Sequence, residues 1–324
     1  MSDLTRLRCT GLLVCAARGS LLSTCGKVLE SSTIASSGLT QGTPRFDLKA
    51  RYLVAVWLLS FVVVPGYSLL AGWLYAYDVP WYWYDLLYYA CFYGLLCMIV
   101  AIQWLRGQSA CKTLFARPAK RSWTPALLLT ALSFSFATVA FYGVFIPLSY
   151  WLPDFVQYWV IELPWLIYFT PEGEFPLLPN LLNLLFLVVI PPLVEEFVFR
   201  GILLHRWAPK YGVLWAVFGS SVIFGALHTD PLGAAVFGAI MCFIYLKSGS
   251  LWVPIVCHAL NNLVCWLWDA ADLARLGLDY EYTLKAFRDE WSWALVAAVI
   301  TLVLWALYRK HGFAKGPLKL PASA

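Results

Sequence analysis

Apolar runs recur along this chain at lengths that match a lipid bilayer, and that repetition leaves few folds open to it. About 20 residues of helix cross a hydrocarbon core of roughly 30 Å. Inside lipid, only helices and closed barrels satisfy their own backbone hydrogen bonds. Hydropathy marks about eight such runs, near 52–76, 85–105, 125–148, 179–205, 212–229, 231–247, 251–269 and 291–309. The expected fold is therefore all-α, a polytopic membrane helical bundle of about eight transmembrane helices. Only 13% of the residues are charged, against about a quarter in a soluble domain, so no soluble globular domain is left over. Residues 51–310 form the expected membrane domain. Residues 1–50, Ser/Thr/Gly-rich with scattered Arg and Lys, read as a polar N-terminal tail or a targeting segment, and 311–324 as a cytoplasmic tail.

Loop charge orients the bundle. The 106–122 loop carries Arg106, Lys112, Arg117, Lys120 and Arg121, the 206–211 loop carries Arg206 and Lys210, and the turn after the sixth run begins with Lys247. The 77–84 and 149–178 loops hold no Lys or Arg, and the second holds Asp154, Glu162, Glu172 and Glu174. Basic loops stay on the cytoplasmic side, so both termini are expected in the cytoplasm. The net charge of +5 is spread over short loops with no basic patch, which gives nucleic acid nothing to bind. The nine cysteines include no C-x-x-C and mostly sit in apolar runs, where Cys behaves as a small hydrophobe; neither a disulfide framework nor a Cys-ligated zinc is expected. The segment 149–178 is rich in Trp, Tyr and Pro. It reads either as a cover lying in the membrane interface or as a plain connecting loop.

Ionisable groups inside the runs are the exceptions that need a reason. Glu195, Glu196 and Arg200 lie in PPLVEEFVFRGILL, His228 ends SSVIFGALH, and His258 and Asn262 lie in VPIVCHALNNLVCW. A charge at membrane depth costs roughly 2.5 to 3.5 kcal/mol on the insertion scale, and persists where it is paired or functional. Glu196 and Arg200, four apart on one helix face, can pair and suit a structural role. Glu195 points about 100° away and has no local cation, which favours chemistry. Pro191 and Pro192 cannot donate backbone hydrogen bonds, so the helix is expected to kink or restart there. His228 is either a helix-end cap or, if the Asp230-Pro231 hairpin is sunk below the surface, an interior group walled by Phe224. His258 and Asn262, also four apart, either converge as donors on one developing oxyanion or act as glue between helices. Counted from the expected cytoplasmic ends, Glu195, His258 and Asn262 reach similar depths, and His228 lies deeper unless its helix is tilted or begins late.

Three segments in this order and spacing, EEFVFR (Glu195 to Arg200), FGALH (Phe224 to His228) and HALNN (His258 to Asn262), resemble the E-E-x-x-x-R, F-x-x-x-H and H-x-x-x-N motifs of the CAAX-type protease and bacteriocin-processing family, also called Abi. The resemblance covers about residues 185–268, within a protease-like core at about 179–269, and the connecting sequence is similar to the bacterial branch. It implies a glutamate-type intramembrane endopeptidase without a cofactor. Glu195 would activate the attacking water with His228 orienting it, His258 and Asn262 would stabilise the oxyanion, and Glu196 with Arg200 would support the site. It further implies an integral multi-pass protein of a bacterial inner membrane. The expected partners are the bilayer and a peptide or membrane-protein substrate, lipidated in some family members.

Two other readings remain open at this level. A zinc protease would use Glu195, His228 and His258 as metal ligands, since two His and a carboxylate fit a catalytic zinc, although H-E-x-x-H is missing. A transporter or non-catalytic binding protein would also place Glu, Arg and His inside the membrane, although the polar groups gather in one half with no inverted counterpart.

Overall fold

The structure is a computed structural model and describes residues 69, 70, 72, 79–106, 108–162, 166–170, 172–277, 282–316, 318 and 320. The expected tail at 1–50 lies outside these residues, as does the expected span at 52–76 apart from three positions. The described residues are all-helical, with α1 at Trp81–Arg106, α2 at Gln108–Leu114, α3 at Trp123–Trp151, α4 at Pro153–Val156 and α5 at Leu177–Glu196. There follow α6 at Leu204–Tyr211, α7 at Val213–Ala226, α8 at Pro231–Ser248, α9 at Trp252–Leu276, α10 at Leu284–Asp289 and α11 at Trp291–His311.

Among the described residues, five helical stretches are long and apolar enough to cross a membrane: Trp81–Arg106, Lys120–Trp151, Leu177–Tyr211, Pro231–Ser248 and Leu284–His311. The chain is an integral multi-pass protein on that ground. Two of the expected spans differ from this pattern, each for a physical reason. The run at 212–229 folds as a helix of 14 residues, roughly 21 Å long at 1.5 Å per residue, which is short of the hydrocarbon thickness. The run at 251–269 continues as a helix to Leu276, and its last turns carry Asp269, Asp272 and Arg275, so its far end is polar.

The helix does not restart at Pro191 and Pro192. Leu177–Tyr211 is one helical stretch of 35 residues, and its irregularity comes later, as a π-helical segment at Phe197–Leu203. Pro191 leaves the Leu187 carbonyl without its usual donor. The Asn262 side-chain amide of α9 takes its place, Nδ2 donating to Leu187 O at 3.0 Å. An outside donor of this kind is how a membrane helix tolerates proline.

Tight punctuation holds the α7–α8 hairpin. Gly212, at φ +85, separates α6 from α7. Asp230 caps α8 by accepting from the Gly233 amide at 3.0 Å, with Pro231 in the first turn. The two helices approach so closely that a Cβ on Gly225 would stand 2.3 Å from the Pro231 carbonyl oxygen; only glycine fits. Around this hairpin pack α3, α6, α9 and the π-helical segment, and a buried apolar cluster that includes Val194, Phe199, Phe224, Phe237, Met241 and Cys257.

The segment 149–178 is tied down rather than free to swing. The Trp159 indole donates to the Thr229 carbonyl at 2.7 Å, on the α7–α8 turn. The Leu166 amide donates to Asp269 at 2.8 Å, Asn180 holds both the amide and the carbonyl of Tyr168, and Asn183 donates to the Leu166 carbonyl.

Candidate active site

Glu195 and Glu196 end α5, and their divergence on the helix gives them separate surroundings. Glu196 is fully buried. Its Oε1 accepts from Arg200 Nη1 at 2.9 Å and lies 2.9 Å from His258 Nδ1. The other terminal nitrogen of Arg200 donates to the Gly238 carbonyl of α8 at 2.8 Å, and the guanidinium lies over the Phe224 ring, 4.9 Å from its centroid. One ion pair thus joins the π-helical segment to α7, α8 and α9. All seven residues of that segment are buried, and such widened turns are frequent at functional sites.

Glu195 faces the other way. Its Oε1 accepts from the Tyr93 hydroxyl of α1 at 2.7 Å. Its Oε2 stands 3.9 Å from His258 Nε2, too far for a direct hydrogen bond, and has no hydrogen-bond partner among the described residues. The imidazole of His258 therefore sits between two carboxylates, bonded through Nδ1 to Glu196 and presenting Nε2 towards Glu195. It is 3% exposed, and its faces are closed by Phe237 and Phe224, with ring centroids at 5.0 and 6.0 Å. Two carboxylates and the Arg200 guanidinium surround one imidazole, so a proton taken up by His258 brings the group to electrical balance.

His228 joins this group through Phe224. Its ring stacks on Phe224 at 4.4 Å, and its Nδ1 lies 2.7 Å from the Phe224 carbonyl. A carbonyl only accepts, so Nδ1 carries the proton and, in the neutral ring, Nε2 is left as an acceptor. The short α7 begins at Val213 and ends at Ala226, which brings His228 to the Phe224 ring that also touches His258. Burial pushes the neighbouring Asp230 carboxyl above its ordinary range, against the pull of the Gly233 and Leu232 amides.

Asn262 is attached through the Leu187 carbonyl. That contact is the interhelical glue that was one of its two readings. The amide nitrogen carries a second hydrogen, so the other reading is not used up by it. The structure thus gathers Glu195, Glu196, Arg200 and His258 into one contiguous group, with His228 and Asn262 at its margins.

Among the described residues, no three His, Cys, Asp or Glu side chains are placed to hold a metal ion; of the zinc reading's three candidates, Glu195 and His258 approach to 3.9 Å, and His228 meets the Phe224 ring. Sequence reasoning missed two participants. Tyr93 is one of 18 tyrosines, and only its position opposite α5 singles it out. The Leu187 carbonyl was legible in principle, because a proline follows four residues later.

Comparison with known proteins adds an independent line. Residues 176–264 match the family described as type II CAAX prenyl endopeptidase Rce1-like. The chain is 32% identical to YdiL of Bacillus subtilis (strain 168), named as a candidate membrane peptidase, over 23% of this chain and 32% of that protein. It is 33% identical to CAAX prenyl protease 2 of Homo sapiens, over 23% of this chain and 30% of that protein. The chain thus spans about a third of the length of the curated relatives it matches. No solved structure matches it.

Proposed function

Since residues 176–264 of this chain match the family described as type II CAAX prenyl endopeptidase Rce1-like, we propose that the protein is an intramembrane endopeptidase that cleaves a membrane-associated peptide with a glutamate-activated water. The observation that carries this reading is the divided state of Glu195. One oxygen is held by Tyr93, and the other is buried, unpartnered and 3.9 Å from His258 Nε2. A buried carboxylate oxygen without a donor is costly, and a polar pair at this separation can be bridged by a water.

In this reading the water lies between Glu195 Oε2 and His258 Nε2. Glu195 takes a proton as the water oxygen attacks the scissile carbonyl carbon. The C=O π pair moves onto oxygen, and the resulting tetrahedral oxyanion is met by His258 Nε2–H and the second Asn262 N–H; a well-placed donor of this kind supplies about 3–4 kcal/mol. Collapse breaks the C–N bond, and the proton on Glu195 passes to the leaving amine. His228 offers its Nε2 lone pair to orient the water. Glu196, anchored by Arg200, holds the His258 ring through Nδ1 and so aims Nε2 at the oxyanion.

We place the membrane domain over 51–310, with the core at 179–269 and both termini cytoplasmic. The substrate is a peptide on a membrane-anchored chain. The prenylated C-terminal segment named in the family description is the first to try. The test is Glu195→Gln in purified protein supplied with a farnesylated peptide ending in a CAAX sequence. Cleavage should fall to background while the variant elutes and unfolds like the parent. Turnover retained by that variant rejects Glu195 as the base.

A further inference from the structure

The family match ends at residues 176 and 264, yet Glu195 receives its hydrogen bond from α1, some hundred residues earlier in the chain. We propose that Tyr93 is a positioning residue for hydrolysis, a phenol that clamps Glu195 Oε1 so that Oε2 is held towards His258. The inference rests on the reading of Glu195 as the base and extends the functional unit to a helix outside the matched domain.

A carboxylate on a glutamate stem turns freely about its last torsion, a broad well, which interchanges the two oxygens and swings them through a wide arc. Such freedom defeats a base that must meet one water at hydrogen-bond distance, because catalytic groups work when held in a near-attack geometry. The Tyr93 hydroxyl, 2.7 Å from Oε1, removes it. The phenol is itself fixed. Its ring meets Phe186 of α5 at 5.4 Å and Phe92 at 5.2 Å, both edge to face, in the contact between α1 and α5. Phe186 lies nine positions before Glu195 on the same helix, so α5 supplies both the group to be positioned and the wall that aims the phenol.

The remaining charged and titratable groups around this point make the arrangement specific. On α9, His258 faces Oε2. Glu196 and Arg200 are paired on the far side of that imidazole, and Tyr88 and Tyr89 precede Tyr93 on α1. Arg200 is engaged with Glu196 and Gly238. The hydrogen bond from Tyr93 is therefore the direct donor to Glu195 that the described residues provide, and it comes from a neutral group. A neutral donor favours the ionised carboxylate without neutralising it as a base, which a salt bridge from lysine or arginine would do.

The experiment has an arm that needs no turnover. In detergent-purified protein, the infrared carbonyl band of a protonated carboxyl that Glu195→Gln removes is followed against pH. Tyr93→Phe should shift its midpoint to higher pH. Replacement of Tyr93 by 3-fluorotyrosine, which keeps the ring and strengthens the donor, should shift it lower. With the farnesylated CAAX peptide, Tyr93→Phe should lower kcat at least tenfold, leave KM within about twofold, and move the acid limb of the rate profile in step with the infrared midpoint. A kcat within twofold of the parent, or midpoints that move for neither substitution, overturns the positioning role even when Glu195→Gln is inactive. Cleavage surviving in Glu195→Gln, with the infrared shifts present, instead overturns the base assignment and leaves the clamp as a bond without that task. If the phenylalanine variant does not fold, the fluorotyrosine arm decides alone.

Discussion

Arg200 and Glu196 show how a charge survives among apolar helices. Each is almost fully buried, at 1% and 0% exposure, and each is answered, the guanidinium by a carboxylate, a carbonyl and an aromatic face. Removing Arg200 leaves Glu196 buried with only the His258 imidazole to answer it, a loss of up to about 3–5 kcal/mol. Arg200→Ala should therefore lower the unfolding free energy by that amount and deplete the folded protein, measured by thermal or denaturant unfolding in detergent. Glu195→Gln, where the parent oxygen has no partner to lose, should unfold close to the parent. That contrast separates residues that hold the site from the one that works in it. The i,i+4 spacing made the first pair legible in the chain. The two His258 contacts were not, since spacing cannot say which neighbour an imidazole on another helix will meet.

Among the elements, the α7–α8 hairpin decides whether His228 takes part. A helix of 14 residues turns back at 227–230, and Trp159 seats on the Thr229 carbonyl of that turn. The turn depends on backbones meeting at Gly225, where an added methyl would lie 2.3 Å from Pro231 O and 2.7 Å from the Ala235 Cβ. Gly225→Ala should therefore force α7 and α8 apart, at a cost of about 1–3 kcal/mol for overpacking. The loss should appear as a lower unfolding midpoint with a fall in cleavage, although Gly225 touches no reacting atom. The glycine in FGALH is thereby given a steric reason. The prolines of α5 teach the complementary lesson: they broke no helix, because an amide from α9 replaced the lost donor, and no local propensity contains that information.

Taken as a whole, the chain alternates basic with acidic loops. Lys247 at the end of α8 donates to the carbonyls of Ala314 and Gly316, and Phe313 packs on Phe243, so the chain after α11 lies against the end of the bundle that bears the basic loops. Cysteine reporters placed singly at Lys112 and Glu172 in a cysteine-free chain should label from opposite sides of the membrane, Lys112 only after the cells are opened and Glu172 in intact cells. The reverse pattern would invert the orientation. The chain by itself determined that this is an all-helical membrane protein, which residues are too polar for their surroundings, and that Glu196 would meet Arg200, because those follow from hydrophobic run length, transfer cost and the 3.6-residue turn. The tertiary structure decided the rest: the close α7–α8 turn, the imidazole between two carboxylates and the phenol on Glu195. Each of these depends on where separate helices cross, and crossing is settled by packing and by mutual satisfaction of polar groups in a medium with little water to take their place.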